Sequence, residues 1–99
     1  SERIRSDVTL GMQAVKNNFR NLRYLIGRAA SKPEIVKEAL IGEAQFRQTA
    51  SPEDKAEYEA DRQRLGVPAM TFYYAQHALA ANPRLRRNLE VYVMGHFDN

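Results

Sequence analysis

Residues 31–66, SKPEIVKEALIGEAQFRQTASPEDKAEYEADRQRLG, carry the signals that decide the fold. Pro33 and Pro52 each follow a serine closely and precede an acidic residue, an order typical of the first turn of a helix. A glycine closes the stretch, as expected where a helix ends. The sequence therefore predicts one helix over residues 31–49 and a second over residues 51–66.

The same reasoning extends in both directions along the chain. Apolar residues spaced alternately by four and three predict one long helix that starts at about Asp7, or already at Glu2, and runs to about Ala30. Proline and capping signals predict two more helices, a central one over residues 68–81 and a last one from Asn82 to about Gly95. No alternating run of β-branched residues is present, so strands are not expected. We expect an all-α fold, a single compact bundle of about five helices with a long N-terminal helix.

The first predicted helix has two further implications. Its unbroken apolar stripe is the pattern of a helix that crosses several neighbours or pairs in a coiled coil, so it is a candidate seam for a homodimer. Gly11 lies on the apolar side and would cost about 1 kcal/mol relative to Ala in a continuous helix. We interpret this glycine as the point of a close helix crossing.

Composition excludes several classes of protein. The 99 residues contain no Cys, so disulfides, thiolate nucleophiles and cysteine-ligated metal sites are excluded. No apolar run approaches the ~20 residues of a transmembrane helix. We expect one domain over residues 1–99 that acts in the cytoplasm. The chain begins Ser1-Glu2-Arg3 without an initiator Met, and we expect it to be excised from a larger protein.

The residues capable of catalysis form no recognisable arrangement. His77 and His96 have no second His at helical spacing, and no phosphate-binding loop or nucleophile elbow is present. Ser6, Ser31 and Ser51 fall at predicted helix starts, where capping explains them. We expect no enzymatic activity, no cofactor and no metal ion.

Positive charge is distributed unevenly. Residues 1–32 carry seven basic and two acidic residues, residues 33–66 five and eight, and residues 67–99 three and two. Arg84, Arg86 and Arg87 fall in the first turn of the last helix, where each cation opposes the helix dipole at a cost of about 0.3–1 kcal/mol. They are candidates for docking an anion or an acidic partner, although solvated arginines or pairs with acids of residues 51–66 are alternatives.

Two further groups are candidates for binding. Lys16, Arg20 and Arg23 share one flank of the first predicted helix, as a basic strip. Phe72, Tyr73 and Tyr74 are consecutive and span about 200° of a helix surface. Two neighbouring helices could cover all three rings; otherwise Tyr73 or Tyr74 projects outward as an anchor for a protein or a stacked base.

These features favour a non-enzymatic protein-interaction module, adaptor or regulatory, with arginine-rich docking surfaces and a protein partner. The leading alternative is a nucleic-acid-binding domain that uses the same basic residues for phosphate contacts. A helical targeting or secretion-signal domain of a larger effector or mobilisation protein is a third interpretation.

Overall fold

Three helices begin at the prolines. In the computed structural model, which describes residues 2–97, helices start at Pro33, Pro52 and Pro83. The full order is α1 (Glu2–Arg5), α2 (Val8–Asn17), a 3₁₀ helix (Phe19–Tyr24), α3 (Gly27–Ser31), α4 (Pro33–Thr49), α5 (Pro52–Leu65), α6 (Met70–Tyr74), α7 (Gln76–Ala81) and α8 (Pro83–His96). Every regular element in this part of the chain is helical, so the all-α class is confirmed.

Local capping accounts for the bounds of α5 and α8. Ser51 Oγ accepts a hydrogen bond from the backbone N–H of Asp54 at 3.1 Å, and Asn82 Oδ1 accepts one from the N–H of Leu85 at 3.1 Å. Each satisfies a donor that has no partner within the helix. Gly66 ends α5 in the left-handed conformation, with φ at +67°. These bounds agree with the sequence.

The cap proposed for α4 is wrong. Ser31 is the last residue of α3, and its hydroxyl donates back to the carbonyl of Gly27 at 3.3 Å. Lys32 is the residue before α4, and its side chain makes no capping hydrogen bond. Pro33 therefore starts the helix without a serine cap, because the hydroxyl of Ser31 is engaged by the preceding turn.

The long first helix is also wrong. Asn18 is extended, at φ −159° and ψ 119°, and its Oδ1 accepts a hydrogen bond from the N–H of Arg20 at 2.9 Å, which starts the 3₁₀ helix. A second break follows at Ile26, after which Gly27 enters α3 with φ at +57°. Side-chain capping by Asn18 competes with the helical hydrogen bond that a continuous helix would need. The apolar stripe is therefore folded back on itself and offers no continuous dimer seam.

α4 is the central helix, in place of the aromatic segment that the sequence favours. It packs against α2, the 3₁₀ helix, α3, α6 and α8. Its buried residues are Ile35, Val36, Ala39, Leu40, Glu43 and Ala44. The aromatic segment is divided at Ala75 into α6 and α7. The count of five helices is therefore wrong, although the proposed crossing at Gly11 is confirmed: a Cβ there would lie 3.1 Å from Ala29 Cβ.

A buried carboxylate replaces the local cap that α6 lacks. Glu43, fully buried on α4, accepts hydrogen bonds from the N–H of Met70 at 2.7 Å and the N–H of Thr71 at 2.8 Å. It also accepts from the Thr71 hydroxyl at 2.7 Å and from the Tyr58 hydroxyl. A negative charge at a helix N-terminus satisfies unpaired N–H groups and complements the dipole. Glu43 thereby ties α4, α5 and the start of α6 together.

Candidate docking surfaces

The three arginines of α8 do not act alike. All three are exposed. Arg86 pairs with Glu90 of its own helix, Nε to Oε2 at 3.3 Å, and its guanidinium lies 5.9 Å from the Phe72 ring centre. Arg84 and Arg87 form no ion pair with any residue in 2–97. The pairing with α5 acids considered above is therefore wrong, and two cations remain without a counter-charge.

A groove lies between α4 and α8. Arg84 and Arg87 do not line it, but Asn88 and Val91, each four residues further along α8 than one of these arginines, do. Its wider part, about 630 Å³, has Leu40, Leu89 and Tyr92 among its lining residues and Lys37 at its edge. A narrower continuation of about 390 Å³ shares Gly95 and His96 with it and adds Arg47, Lys55 and Met94. We call the two parts together the α8 groove.

The edge of the α8 groove is unusually apolar for a surface. Ile41 is 37% exposed, Val91 62% and Met94 82%. On α8, Arg84 and Val91 are separated by seven residues, and Arg87 and Met94 likewise, so each cation shares a helix flank with one of these apolar side chains. Exposed apolar side chains grouped in this way are characteristic of interaction surfaces.

All the charged residues that line the α8 groove in the described part of the chain are basic. Lys37, Arg47 and Lys55 line the groove, and no Asp or Glu among the described residues does. Arg47 is compensated by Glu59, whose Oε2 lies 3.1 Å from its Nη1, and its guanidinium covers the Phe97 ring at 4.7 Å. Lys37 and Lys55, with Arg84 and Arg87 on α8, leave the surface positive.

A second surface unites two groups of residues that the sequence identified separately, and adds Tyr24, which the sequence analysis did not identify. The 3₁₀ helix contributes Arg20, Arg23 and Tyr24, and α6 contributes Tyr73 and Tyr74. All five line one open cleft of about 560 Å³, which α5 completes with Asp61 and Arg64. We call this the arginine–tyrosine cleft.

The cleft carries two cations without a carboxylate partner. Arg23 Nη2 donates to the Tyr24 hydroxyl at 2.8 Å, and this hydrogen bond raises the pKa of the Arg23 guanidinium. The Arg20 guanidinium lies over the Phe46 ring at 4.6 Å. Asp61, the one acid among the described residues that line the cleft, pairs with Arg64 at 3.3 Å. Arg20 and Arg23 therefore present an uncompensated charge.

The aromatic residues of α6 take three different environments. Phe72 is buried, Tyr74 is half-buried and Tyr73 is 42% exposed, with its ring 6.1 Å from that of Tyr74 in an edge-to-face arrangement. Burial raises the pKa of the Tyr74 hydroxyl, and the charges of Arg20 and Arg23 oppose that shift. The interpretation in which neighbours cover all three rings is wrong, because Tyr73 projects outward.

Lys16 does not join the arginines with which the sequence grouped it. It lies near the end of α2 and lines a separate shallow depression with Leu10 and Gln13. The break at Asn18 separates it from the 3₁₀ helix. The single basic strip is therefore wrong in geometry, since only Arg20 and Arg23 share a site.

Sequence reasoning missed two features. Glu43 gave no signal, because its partners Met70 and Thr71 are distant along the chain. Val91 and Met94 did give one: they lie off the helix face that Leu85 and Leu89 bury, so the periodicity of α8 already left them exposed.

Neither histidine belongs to a group of side chains that could hold a metal ion among residues 2–97. His77 is exposed, and the His96 ring stacks on Tyr92 at 4.0 Å between centroids. Within residues 2–97 no three His, Asp or Glu side chains are placed to hold a metal ion, and no helix has both the length and the apolar character needed to cross a bilayer. Comparison of the chain with protein-family models, with curated protein sequences and with solved structures gives no match.

Proposed function

We propose that this chain is a non-enzymatic protein-interaction module whose α8 groove receives an acidic amphipathic helix of a partner protein. The observation that carries the proposal is the exposure of Val91 and Met94, at 62% and 82%, beside cations without counter-charges. Burying each of these side chains against a partner contributes about 1.5–3 kcal/mol. The cysteine-free sequence fits a reducing cytoplasm, where we expect the module to act.

The form of the partner follows from the shape of the groove. Two adjacent helices leave a furrow into which the side-chain ridge of a third helix packs, and amphipathic helices bind grooves of this kind through apolar anchors. Because no acid lines the groove in the described residues, acidic flanks on the incoming helix complement it. A second copy of the chain docked through the same groove would place like charges together, which disfavours a homodimer there.

A peptide series tests both the apolar and the electrostatic parts. Three helical peptides share one leucine stripe and differ only in their flanking residues, which are Glu, Gln or Lys. We expect the Glu peptide to bind tightest. Met94→Asp should weaken it at least tenfold, because a lost contact of about 1.4 kcal/mol has that effect.

Reversing the charge of two α8 arginines tests the electrostatic part of the proposal directly. The double variant Arg84→Glu/Arg87→Glu should invert the preference, so that the Lys peptide binds tightest. The matched control is Arg3→Glu/Arg28→Glu, which changes the net charge equally at exposed residues of α1 and α3, two helices that contribute no residue to either surface. Equal binding of all three peptides, or equal effects of the two double variants, would contradict the proposal.

The nucleic-acid alternative makes a different prediction for the same arginines. A mixed-sequence duplex and single strand, measured by fluorescence anisotropy at about 50 and 200 mM salt, would bind through Arg84, Arg86 and Arg87 with steep salt dependence. Under our proposal, the affinity of the Arg84→Ala/Arg86→Ala/Arg87→Ala variant for either nucleic acid should equal that of the unmodified chain. A loss of binding in that variant would replace the protein partner with nucleic acid at α8.

A further inference from the structure

We propose that the arginine–tyrosine cleft binds single-stranded nucleic acid, independently of the α8 groove. Surfaces that bind single strands combine cations that follow the phosphates with aromatic rings on which bases stack. The cleft has both, on side chains drawn from separate parts of the chain. The 3₁₀ helix and α6, which the sequence does not connect, are brought together by the fold.

The two arginines of the cleft are available to bind phosphate. Arg20 and Arg23 contact aromatic rings and a hydroxyl rather than a carboxylate, so a ligand anion displaces no internal ion pair. The Asp61 and Arg64 charges cancel at the far edge. Each of the two guanidiniums that line the cleft can pair with a phosphate of a flexible strand.

Two tyrosine rings of the cleft are exposed enough to stack on bases. Tyr24 is 53% exposed and Tyr73 is 42% exposed, and both line the cleft. The Arg23 guanidinium lies 4.9 Å from the Tyr24 ring centre, which limits the orientations available to both side chains. Because duplex DNA keeps its base faces stacked inside the helix, exposed rings of this kind favour an unpaired strand over a duplex.

Glu43 fixes the position of α6, the helix that carries Tyr73 and Tyr74 of the arginine–tyrosine cleft. It holds the first two residues of α6, and Tyr73 and Tyr74 follow within the next turn. The position of the stacking ring is therefore set by a buried hydrogen-bonded network rather than by a mobile loop.

The test uses a 5′-fluorescein-labelled hexathymidylate in an anisotropy titration. With two phosphate contacts and a slope of about −0.7 per phosphate, raising the salt from about 50 to 200 mM should weaken binding roughly sevenfold. Arg23→Ala should weaken binding and reduce the salt effect to roughly threefold, because one contact is lost.

Tyr73 gives a test that is specific for stacking. Tyr73→Leu keeps an apolar side chain without an aromatic face and should weaken binding about 5- to 150-fold, the range for a stacked base. Tyr73→Phe keeps the ring and should bind as the unmodified chain does. Circular dichroism verifies that each variant is folded.

The control for charge is Arg84→Ala/Arg87→Ala, which removes two cations from the other surface and should change hexathymidylate affinity less than Arg23→Ala does. No binding at low salt would overturn the proposal, as would a control variant as weak as Arg23→Ala or a Tyr73→Leu variant that binds normally. Displacement of the strand by a phosphotyrosine peptide but not by a nucleoside monophosphate would assign the cleft to phosphorylated protein instead. All of these results are independent of the peptide series on the α8 groove.

Discussion

Replacement of Glu43 is the most demanding test of how the fold is held together. The Glu43 carboxylate accepts from four donors: the N–H groups of Met70 and Thr71 and the hydroxyls of Tyr58 and Thr71. Glu43→Ala removes the acceptor for all four at a fully buried position. Each buried donor left unpaired costs about 1–3 kcal/mol, so we expect the free energy of unfolding to fall by at least 4 kcal/mol.

That loss is large against the ~5–15 kcal/mol that stabilises a typical domain, so the variant should be partly unfolded at room temperature. Glu43→Gln retains one acceptor oxygen and turns an amide N–H₂ toward donors. Because two of the four donors then lose their acceptor, we expect the free energy of unfolding to fall about half as far as in Glu43→Ala, by roughly 2–6 kcal/mol. The intermediate value separates the loss of hydrogen bonds from the loss of packing volume, since Gln and Glu have nearly the same shape.

The assay is urea unfolding followed by far-UV circular dichroism, with near-UV circular dichroism to report on the tyrosines of α5 and α6. Glu57→Ala is the matched control, because Glu57 is an exposed acid on α5, and it should change stability by no more than about 0.5 kcal/mol. A Glu43→Ala variant that loses less than about 1 kcal/mol would refute the conclusion that this carboxylate anchors α6.

Other substitutions test separate parts of the account. Burial and the negative charge of Glu43 raise the pKa of the Tyr58 hydroxyl above its usual value of about 10. Because the unfolded chain then releases this proton first, Tyr58 should make the protein lose stability above pH ~10, by up to about 1.4 kcal/mol per pH unit. The difference between the urea curves of the unmodified chain and Tyr58→Phe should show this slope, and parallel curves from pH 9 to 11 would contradict it. Asn82→Ala should cost about 1 kcal/mol by removing the cap of α8, while melting temperatures unchanged within error would disprove that role. Gly27→Ala should cost about 1–2 kcal/mol because φ is +57° there, whereas Gly95→Ala, with open space at its Cβ, should stabilise α8 by up to about 1 kcal/mol; effects of the same sign would be inconsistent with the structure.

Local signals explain what the sequence could predict about the fold. Ser51 and Asn82 cap helices through atoms three residues away, so their neighbours along the chain contain the whole interaction. Asn18 is also local, but the apolar stripe continues across it, and periodicity alone favoured an unbroken helix. With the break at Asn18, both α2 and the 3₁₀ helix pack against α4, a long-range arrangement that periodicity does not report.

The candidate sites also combine features that the local sequence predicts with features that depend on contacts between distant residues. Charge and aromatic content identified Arg20, Arg23, Tyr73 and Tyr74 individually. Their meeting in one cleft depends on α6 being anchored by Glu43, an interaction between residues distant along the chain. The separation of Lys16 from this group follows from the break at Asn18, whereas the pairing of Arg86 with Glu90 is an i,i+4 pair that the sequence spacing already allowed.

The methionine methyl groups provide the most direct measurement of docking. The chain has three methionines, of which Met94 lies at the α8 groove, Met70 lines the arginine–tyrosine cleft and Met12 is half-buried away from both. In protein labelled with ¹³C-methyl methionine, the acidic helical peptide should shift the Met94 signal and leave those of Met12 and Met70 in place. A shift of Met70 instead, or a Met94 signal that does not move at saturating peptide, would contradict the assignment of the α8 groove as the surface that binds the partner.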